Sequence, residues 1–550
     1  MDSDGLHRLL RRIDGRGYKA YKQLQGIEYR VNSVRVKIVK VQGDPFAPPS
    51  IVRVEIPVSL AGSSARYPIP VADYLARIAY RLSKRYSMRG EGEGHSGEIR
   101  FPRPGPIILT RNSSRLVRVG DGYKLVLRFW VGLPSRRRRI LGDVARRLLV
   151  ESIPRLARDV VGHLRDPMVS EYIRVWREQE YIRSKLSERG LVSFVGDGSI
   201  LPRSCGGCEE PLRDAVPFES PPSLRVEFEL PTGRTVSGMG VREGLTVIVG
   251  PAFHGKTTLL NAIGQGVWNH IPGDGRELVV TRRDAFWVQS ENGRRVSCVD
   301  ISPWIEYLPG LRDPKCWSAS NASGATSAMA SLQEAVEAGS RVILIDEDWT
   351  ATNFIHRDIW TEEVTGKKTL LTISELAGSL KEAGVSVVIV ASGSDILLSS
   401  ADTVIVMDEY KPVDATEYAR RRVSMRPDTT VIHRRYSIPG ERVIVKSLEL
   451  GKVKLRGSRV EGRSIGSIDL SACKQMEDDY QLHTAVRIAL RVAKNRGSIV
   501  GLVQEYIHRL IEDGGLGMDD PSIVEVRWLD VVCVVNRFPF QPGGVRGRRA

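Results

Sequence analysis

Apolar and polar residues follow two kinds of spacing along residues 1–150, as in a domain of mixed α/β structure. Alternation over residues 31–41 and 51–58 predicts two β-strands, while helical spacing over 71–86 predicts a helix. Residues 144–189 combine Arg, Glu and apolar residues at helical intervals, which predicts a long helical connection to the next region.

The pattern changes in the middle of the chain. Residues 190–237 are rich in Pro, Gly and Ser and are expected to form connecting loops with one strand. From residue 245 to about residue 410, β-rich runs alternate with helical stretches, which is typical of a parallel sheet with crossover helices. Beyond residue 414, short strands and a helical stretch predict a smaller α+β region.

Composition narrows the class of protein. The 550 residues are 41% hydrophobic and 27% charged, as in folded globular proteins. The longest apolar runs are strand-sized, so neither a membrane span nor a secretory signal is expected. Six cysteines in a chain of this length fit a reducing cytoplasm. Cys205 and Cys208 have the spacing of a metal or redox pair, but without a second pair we expect loop thiols.

The charge is distributed unevenly. Residues 1–150 carry a net +18, residues 151–420 a net −10 and residues 421–550 a net +8. Such asymmetry predicts a polyanionic partner for the two ends, and we expect nucleic acid, RNA rather than DNA, bound without sequence preference. An Arg-rich surface arising from a heat-adapted or GC-rich genome remains the alternative.

Basic side chains form clusters at both ends of the chain. Four tyrosines interleave with them and are candidates for stacking on bases, namely Tyr18, Tyr21, Tyr86 and Tyr436. The clusters comprise Arg11, Arg12, Arg16, Lys19 and Lys22; Arg81, Lys84, Arg85 and Arg89; the arginines at 136–139; those at 420–422; Arg434 and Arg435; and Lys452, Lys454 and Arg456.

A glycine-rich loop follows a run of β-branched residues and precedes a helical pattern. It reads Gly250-x-x-x-x-Gly255-Lys256-Thr257, and this strand–loop–helix context is the one that a phosphate-binding loop requires. Lys256 is expected to pair with the β- and γ-phosphates of ATP, and the Thr257 hydroxyl to hold Mg²⁺. The predicted nucleotide-binding residues of this loop also include Phe253, His254, which is either a nucleotide contact or a spacer, and Thr258.

An acidic cluster ends a second apolar run. The sequence Arg-Val-Ile-Leu-Ile leads to Asp346, Glu347 and Asp348, and a parallel strand delivers such carboxylates to the same sheet edge as the phosphate loop. Asp346 is predicted to hold Mg²⁺, and Glu347 to polarise the attacking water. Hydrolysis of a nucleoside triphosphate is therefore predicted from the residues alone.

A third element lies upstream of the acidic strand. Ser323 and Gly324 precede a helical stretch, and their small side chains are suited to a second anion-binding helix start. The pair resembles the signature motif of ABC-class ATPases, with the spacing to Asp346 usual in that class. This resemblance implies a homodimer in which Ser323 and Gly324 act on the partner's γ-phosphate. An ordinary helix capped by Ser323 is the alternative.

Two features depart from the ABC pattern. The interval from Lys256 to Asp346 is short for a transporter-type domain. Where ABC enzymes place a switch histidine, this chain has Ser392, which we include among the nucleotide-binding residues and which leaves the turnover rate open. Gln289 is the candidate for the glutamine that follows the second strand, with Glu291 as the competing residue.

Several longer strings extend the resemblance over nearly the whole chain. They are similar to the soluble "predicted ATPase of the ABC class" family, which has a mitochondrial RNA-binding relative in kinetoplastids. These strings are GRGYKAYK (15–22), VQGDPFAPPS (41–50), VGLPSRRRRILG (131–142), SFVGDGSILPR (193–203), AVPFESP (215–221), GMGVREGLTVIVG (238–250), LIDEDWTATNF (344–354) and, more loosely, KVKLRG and IDLSACKQMED.

The resemblance implies an α/β protein with a central ABC-type P-loop domain. We expect a basic N-terminal α/β domain with its helical linker at 1–190, the ATPase domain at 191–415 and a basic, smaller C-terminal α+β domain at 416–550. The predicted function is an ATP-dependent homodimer that couples ATP hydrolysis to nucleic-acid binding. A slow ATP-gated clamp and the energising subunit of a transporter are the alternatives.

Overall fold

A computed structural model describes most of the chain as two compact units. The first unit comprises residues 1–176, 478–484 and 508–525, and the second comprises residues 177–477, 485–507 and 526–550. The structure describes residues 2–206, 208–307, 311, 313–357, 364, 368–424, 435–512 and 519–546, so the predicted basic residue Arg434 lies outside the described residues.

The first unit is built on an antiparallel sheet. Burial alternates along its strands, as the sequence pattern predicts for a sheet with one apolar face. The elements are α1 (Ser3–Ile13), β1 (Glu28–Val31), β2 (Val34–Lys40), β3 (Ser50–Val58), α2 (Gly62–Arg66), α3 (Pro68–Tyr86), β4 (Ile99–Arg100), β5 (Ile107–Ile108), β6 (Ser114–Val119), β7 (Gly122–Val131), β8 (Ser135–Arg136), β9 (Arg139–Ile140), α4 (Gly142–Arg146), α5 (Ile153–Gly162) and the start of α6 (Pro167–Leu186).

The strand order in this sheet is β1-β2-β3-β7-β4, with β6 also paired to β7. Helix α3 begins at Pro68, where the missing N–H costs nothing, and it buries Leu75 and Ile78. Arg111 holds a distant chain segment to this helix, since its guanidinium donates to Asp73 (2.6 Å) and Asp478 (2.7 Å) while only 1% exposed. This ion network explains why residues 478–484 belong to the first unit.

The second unit contains a six-stranded, largely parallel sheet and several smaller sheets. Its elements are β10 (Leu191–Gly196), β11 (Arg225–Glu229), β12 (Thr235–Arg242), β13 (Leu245–Val249), α7 (Lys256–Gln265), β14 (Asn269–His270), β15 (Val279–Thr281), β16 (Ala285–Val288), β17 (Arg294–Val299), β18 (Trp317–Ala322), α8 (Gly324–Glu337), β19 (Val342–Asp346), α9 (Thr352–Ile355), α10 (Ile373–Glu382), β20 (Ser386–Val390), α11 (Asp395–Ser399), β21 (Thr403–Asp408), β22 (Lys411–Asp414), α12 (Thr416–Ser424), β23 (Glu441–Lys446), β24 (Val453–Arg456), β25 (Arg459–Gly462), β26 (Gly466–Asp469), β27 (Gly497–Ser498), α15 (Trp528–Val535) and β28 (Gln541–Arg546). Helices α13 (Asp479–Val492) and α14 (Ile499–Glu512) have residues in both units.

The parallel sheet has the order β16-β19-β20-β13-β21-β22, and only the β21–β22 pair is antiparallel. Its inner strands β13, β19 and β20 are buried along their whole length, because helices cover both faces of a parallel sheet. All the parallel strands end at one edge, which places the loops after β13, β16, β19 and β20 together. The predicted α/β architecture is confirmed.

Two further sheets belong to the C-terminal part of the second unit. Strands β24, β25 and β26 form an antiparallel sheet, and β23 pairs with β27 and β28. Lys454 and Arg456 are exposed on β24. The division of the chain into domains at 1–190, 191–415 and 416–550 stays a prediction.

The six cysteines form three disulfides, Cys205–Cys208, Cys298–Cys316 and Cys473–Cys533. The prediction of loop thiols at 205 and 208 is therefore wrong. Spacing alone does not give a pairing, because two of the three bonds join cysteines that are distant in sequence.

Among the described residues, no helix is both long enough and apolar enough to cross a membrane.

Candidate functional site

The glycine-rich loop connects the buried strand β13 to helix α7 and depends on glycine for its shape. Gly250 has a φ of 139°, and a Cβ there would lie 2.3 Å from the carbonyl oxygen of Met407. Gly255, at the helix N-cap, has a φ of 94°. Phe253 also has a positive φ and is 94% exposed. The loop therefore approaches its neighbours more closely than a side chain would allow.

Lys256 is the first residue of α7 and reaches back over the loop. Its Nζ donates to the carbonyl oxygens of Gly250 (2.7 Å) and Pro251 (2.8 Å). The ammonium group thus lies beside the loop and the helix N-terminus, where backbone N–H groups and the helix dipole favour an anion. Thr257 and Thr258 follow in the first turn of the helix.

His254 contacts the turn between β21 and β22. The backbone N–H of Glu409 donates to His254 Nδ1 (2.9 Å), and Asp408 Oδ1 lies 3.4 Å from the same nitrogen. Glu409 and Tyr410 both have positive φ values, so the turn is tight. In this structure, the His254 imidazole holds the loop against the hairpin, which fits the spacer interpretation.

Asp346 ends strand β19 and is fully buried. Its Oδ1 accepts from the backbone N–H of Asp348 (3.1 Å), while Oδ2 has no hydrogen-bond partner among the described residues. Burial raises the pKa of Asp346, and the Asp348 N–H and Thr257 hydroxyl oppose this rise. Mg²⁺ prefers oxygen ligands, and the Asp346 carboxylate oxygen and the Thr257 hydroxyl are both oxygen ligands. These two residues therefore fit a Mg²⁺ ion.

Glu347 follows Asp346 and is held from two sides. Its Oε2 accepts from the backbone N–H (2.6 Å) and the hydroxyl (2.8 Å) of Ser392. Its Oε1 lies 3.4 Å from Nε2 of His356. His356 first, and then the two Ser392 donors, lower the pKa of Glu347 to about 2 although burial opposes this. The carboxylate is thus ionised at neutral pH.

Gln289 directly follows strand β16, the neighbour of β19. Its Oε1 is buried and has no hydrogen-bond partner within the described part of the chain. The competing candidate Glu291 is used differently, since it forms an ion pair with Arg537 (Nε to Oε2, 2.9 Å). The geometry thus leaves Gln289 with an unused acceptor at the sheet edge.

Ser323 and Gly324 form the N-terminus of helix α8, with Ser323 as the exposed N-cap residue. Ser290 ties this helix start to the sheet edge, because its hydroxyl donates to the Gly324 carbonyl (2.9 Å) and accepts from Ala351 N–H (2.8 Å). Among the described residues, no hydrogen bond joins Ser323 or Gly324 to the phosphate loop. These two residues are therefore adjacent to the Gln289 loop rather than to Lys256.

Two residues near this edge were not predicted from the sequence. His356 lies at the end of α9, and no motif singles it out. Lys474 belongs to the loosely matching string IDLSACKQMED; its Nζ lies 4.0 Å from the centre of the Trp349 ring. Burial lowers the pKa of Lys474, and the charge of Asp346 opposes this effect. Lys474 thus brings a cation from the C-terminal part of the chain toward the acidic cluster.

A mostly apolar cavity of about 290 Å³ adjoins the phosphate loop. Gly255 and Thr258 line it on the loop side, and Met407 and Tyr410 on the hairpin side. The remaining lining residues come from the Pro-rich loop before β11 and comprise Leu201, Pro202, Leu212, Asp214, Ala215, Val216 and Phe218. Its position beside the phosphate site makes it suitable for the flat ring of a base.

This site is that of a P-loop nucleotide-binding protein. Residues 165–439 match the P-loop domain of the ABC ATPase family, and residues 3–164 match the family described as "ATPase of the ABC class N-terminal". The chain therefore belongs to the ATPases of the ABC class. The predicted family and nucleotide-binding fold are thereby confirmed.

The relatives of the chain include the uncharacterized protein MJ1628 of Methanocaldococcus jannaschii. It is 33% identical over 242 residues, which are 42% of this chain and 54% of that protein, so the match spans about half of the relative's length. A similar structure is cbiO1 from Clostridium perfringens, part of the ABC transporter complex cbiONQ, with 15% identity and a TM-score of 0.26 over 43% of this chain and 96% of that chain. Another is MJ1267, an ATP-binding cassette of an ABC transporter in its ADP conformation, with 14% identity and a TM-score of 0.24 over 38% of this chain and 94% of that chain. Both TM-scores are below 0.5.

Proposed function

We propose that the chain hydrolyses ATP at the edge of the parallel sheet. The observation that carries this proposal is that the Lys256 ammonium, the Asp346 oxygen without a partner among the described residues and the ionised Glu347 carboxylate follow strands β13 and β19 of one parallel sheet. These are the groups needed to hold the phosphates, bind a cation and accept a proton from water.

Each residue has a distinct role in the proposed reaction. Lys256 and the loop N–H groups bind the β- and γ-phosphates and stabilise the charge that develops there. Thr257 and Asp346 would hold Mg²⁺, which supplies positive charge to the phosphate oxygens. Glu347 orients a water molecule and takes its proton, and Gln289 is suited to contacting the same water or the cation shell. The base of ATP occupies the cavity beside Tyr410.

Two substitutions test the enzyme proposal. Lys256→Ala removes the phosphate contact and is expected to abolish ATP binding and turnover. Glu347→Gln keeps the shape of the side chain but removes the base, so ATP binding persists while turnover falls by about 100-fold or more. Phosphate release is measured against a matched control, Glu382→Gln, on the surface of α10. Unchanged turnover in both site variants would contradict the proposal.

We further propose that ATP joins two copies of the chain. The exposed Ser323 and the partly buried Gly324 at the start of α8 support this, because a helix N-terminus of small residues is suited to a γ-phosphate from a second subunit. Light scattering of Glu347→Gln with ATP is expected to show a dimer, and Ser323→Arg to prevent it. A monomer under both conditions would contradict the dimer. A dimer with very low wild-type turnover would favour the slow clamp.

The proposed polyanion partner is supported by the arrangement of basic residues in the first unit. Backbone hydrogen bonds join two clusters that are distant in sequence, from Tyr18 N–H to the Arg138 carbonyl (2.8 Å) and from Ile140 N–H to the Arg16 carbonyl (2.9 Å). We name the resulting area the basic surface; its exposed members are Arg16, Lys19, Lys22 and the arginines at 136–139. Closely spaced cations of this kind suit a phosphate backbone.

Three of the four tyrosines that were expected to stack on bases do not suit that role. Tyr18 and Tyr21 are buried, and Tyr21 donates its hydroxyl to the Pro134 carbonyl (2.7 Å). Tyr436 is also buried, in the second unit. Phe46 is a better candidate because it is 62% exposed, and its N–H donates to Asp44, the carboxylate that pairs with Arg138 at the edge of the basic surface.

A salt series tests the partner and its location. Each cation lost from a single-strand contact lowers the slope of log affinity against log salt by about 0.7. Changing Arg16, Lys19 and Arg137 together to Gln is therefore expected to lower the slope by about 2. The matched control is a triple variant in which Arg81, Lys84 and Arg85 on α3 are changed to Gln. Equal losses in both triples would contradict the basic surface, and a flat salt response would contradict a nucleic-acid partner.

A further inference from the structure

His356 is the one imidazole that approaches the acidic cluster after β19 among the described residues. It ends the short helix α9, and its backbone N–H donates to the Thr352 carbonyl (2.9 Å), which fixes the position of the residue. Its side chain is 13% exposed, and its Nε2 lies 3.4 Å from Glu347 Oε1. The imidazole is therefore held beside the carboxylate by local backbone structure.

The two oxygens of Glu347 have different partners. Ser392, after strand β20, donates twice to Oε2, while Nε2 of His356 lies 3.4 Å from Oε1. The buried Nε2 of His356 makes no hydrogen bond within the described part of the chain, and the Glu347 carboxylate at 3.4 Å faces it. A contact of this length can shorten when substrate binds. The carboxylate is thus fixed between two loops that follow different strands.

We propose that His356 is a positioning residue that orients the Glu347 carboxylate for proton transfer from water. This role rests on the proposed hydrolysis, in which Glu347 is the base. Ser392 alone fixes one oxygen and leaves rotation of the carboxyl plane open, whereas a second donor at the other oxygen defines that plane. The histidine acts through Glu347 and touches neither phosphate nor cation in this role.

The expected effect is a loss of turnover without a loss of ATP affinity. Misplacing a catalytic group by about 1 Å costs roughly 100-fold in rate, so His356→Ala is expected to lower kcat by about 10- to 100-fold. KM is expected to change by less than about 2-fold, because the phosphate contacts of Lys256 are unaffected. The amide nitrogen of Gln reaches a position similar to that of Nε2, so His356→Gln is expected to recover part of the lost kcat.

The experiment measures kcat and KM for wild type, His356→Ala and His356→Gln, with the thermal unfolding temperature of each. Ile355→Val is the matched control, since Ile355 is buried next to His356 and the change alters packing without a polar group. Wild-type hydrolysis with an unchanged kcat in His356→Ala would overturn the role of His356 alone. A His356→Gln variant as inactive as His356→Ala, or a rise in KM that accounts for the whole loss, would also overturn it. Absence of hydrolysis in the wild type would overturn the proposed function as well.

Discussion

Arg442 lies in a buried network of charges that joins β23 to α8 in the second unit. Its guanidinium donates to Glu337 Oε2 (2.6 Å), the Ser297 carbonyl (3.1 Å) and Asn536 Oδ1 (2.7 Å), and Nη1 lies 3.4 Å from Glu334. The side chains of Arg442 and Glu337 are only 2% and 4% exposed. Water therefore cannot replace the guanidinium if it is removed.

We predict that Arg442→Met lowers the free energy of unfolding by about 3–5 kcal/mol. This is the cost of leaving a buried carboxylate without its cation, and it exceeds the value of an exposed ion pair, about 0–1 kcal/mol. Methionine retains an unbranched apolar chain, so the loss reflects charge rather than volume. Burial already raises the pKa of Glu337, and a further rise is expected in the variant.

Urea denaturation followed by circular dichroism measures the effect. The double variant Arg442→Met with Glu337→Gln is expected to recover at least about 1 kcal/mol, because the second change removes the uncompensated charge. The matched control is Arg422→Met, which removes an exposed arginine paired with Asp395 at 3.4 Å. A loss as small as in that control, or a double variant less stable than Arg442→Met, would refute the reasoning.

Three further predictions concern other parts of the second unit. Replacing Cys473 and Cys533 by Ala removes a bond across 60 residues and is expected to cost about 4 kcal/mol in urea denaturation. Burial raises the pKa of Glu477 to about 7, so the folded form holds the proton more tightly than the unfolded form. The free energy of unfolding is therefore expected to fall by roughly 2–3 kcal/mol as the pH rises from about 4.5 to about 7. Glu477→Gln is expected to abolish this fall. Gly250→Ala places a Cβ against Met407 and is expected to abolish binding of a fluorescent ATP analogue.

The phosphate loop and the acidic strand could be predicted because each is a local pattern. Gly250 and Gly255 need positive φ, and Asp346 follows a run of apolar residues, so neighbours in sequence are also neighbours in the site. The parallel strand order then brings these loops to one edge. Ser392 was identified by its position after a predicted strand, although its bond to Glu347 was not foreseen.

Other features depend on contacts between distant residues and left no local pattern. Lys474 reaches the acidic cluster only through tertiary structure, whereas His356 reaches it through the local backbone of α9, which no motif marks. The disulfide between Cys473 and Cys533 has the same origin. The prediction that Tyr18 stacks on bases is wrong because its ring faces the core. An aromatic residue among cations has the same sequence pattern whether its ring faces solvent or the core.

The division of the chain into units has a consequence for synthesis on the ribosome. Each unit draws residues from beyond position 477, and the first unit is completed only by residues 508–525. The Arg111 guanidinium, for example, stays without its Asp478 partner until residue 478 has emerged. In most multidomain proteins the N-terminal domain folds before the next domain is made. The first unit of this protein cannot complete its folding in that order. Both units can reach their final packing only after the segments beyond residue 477 have been made.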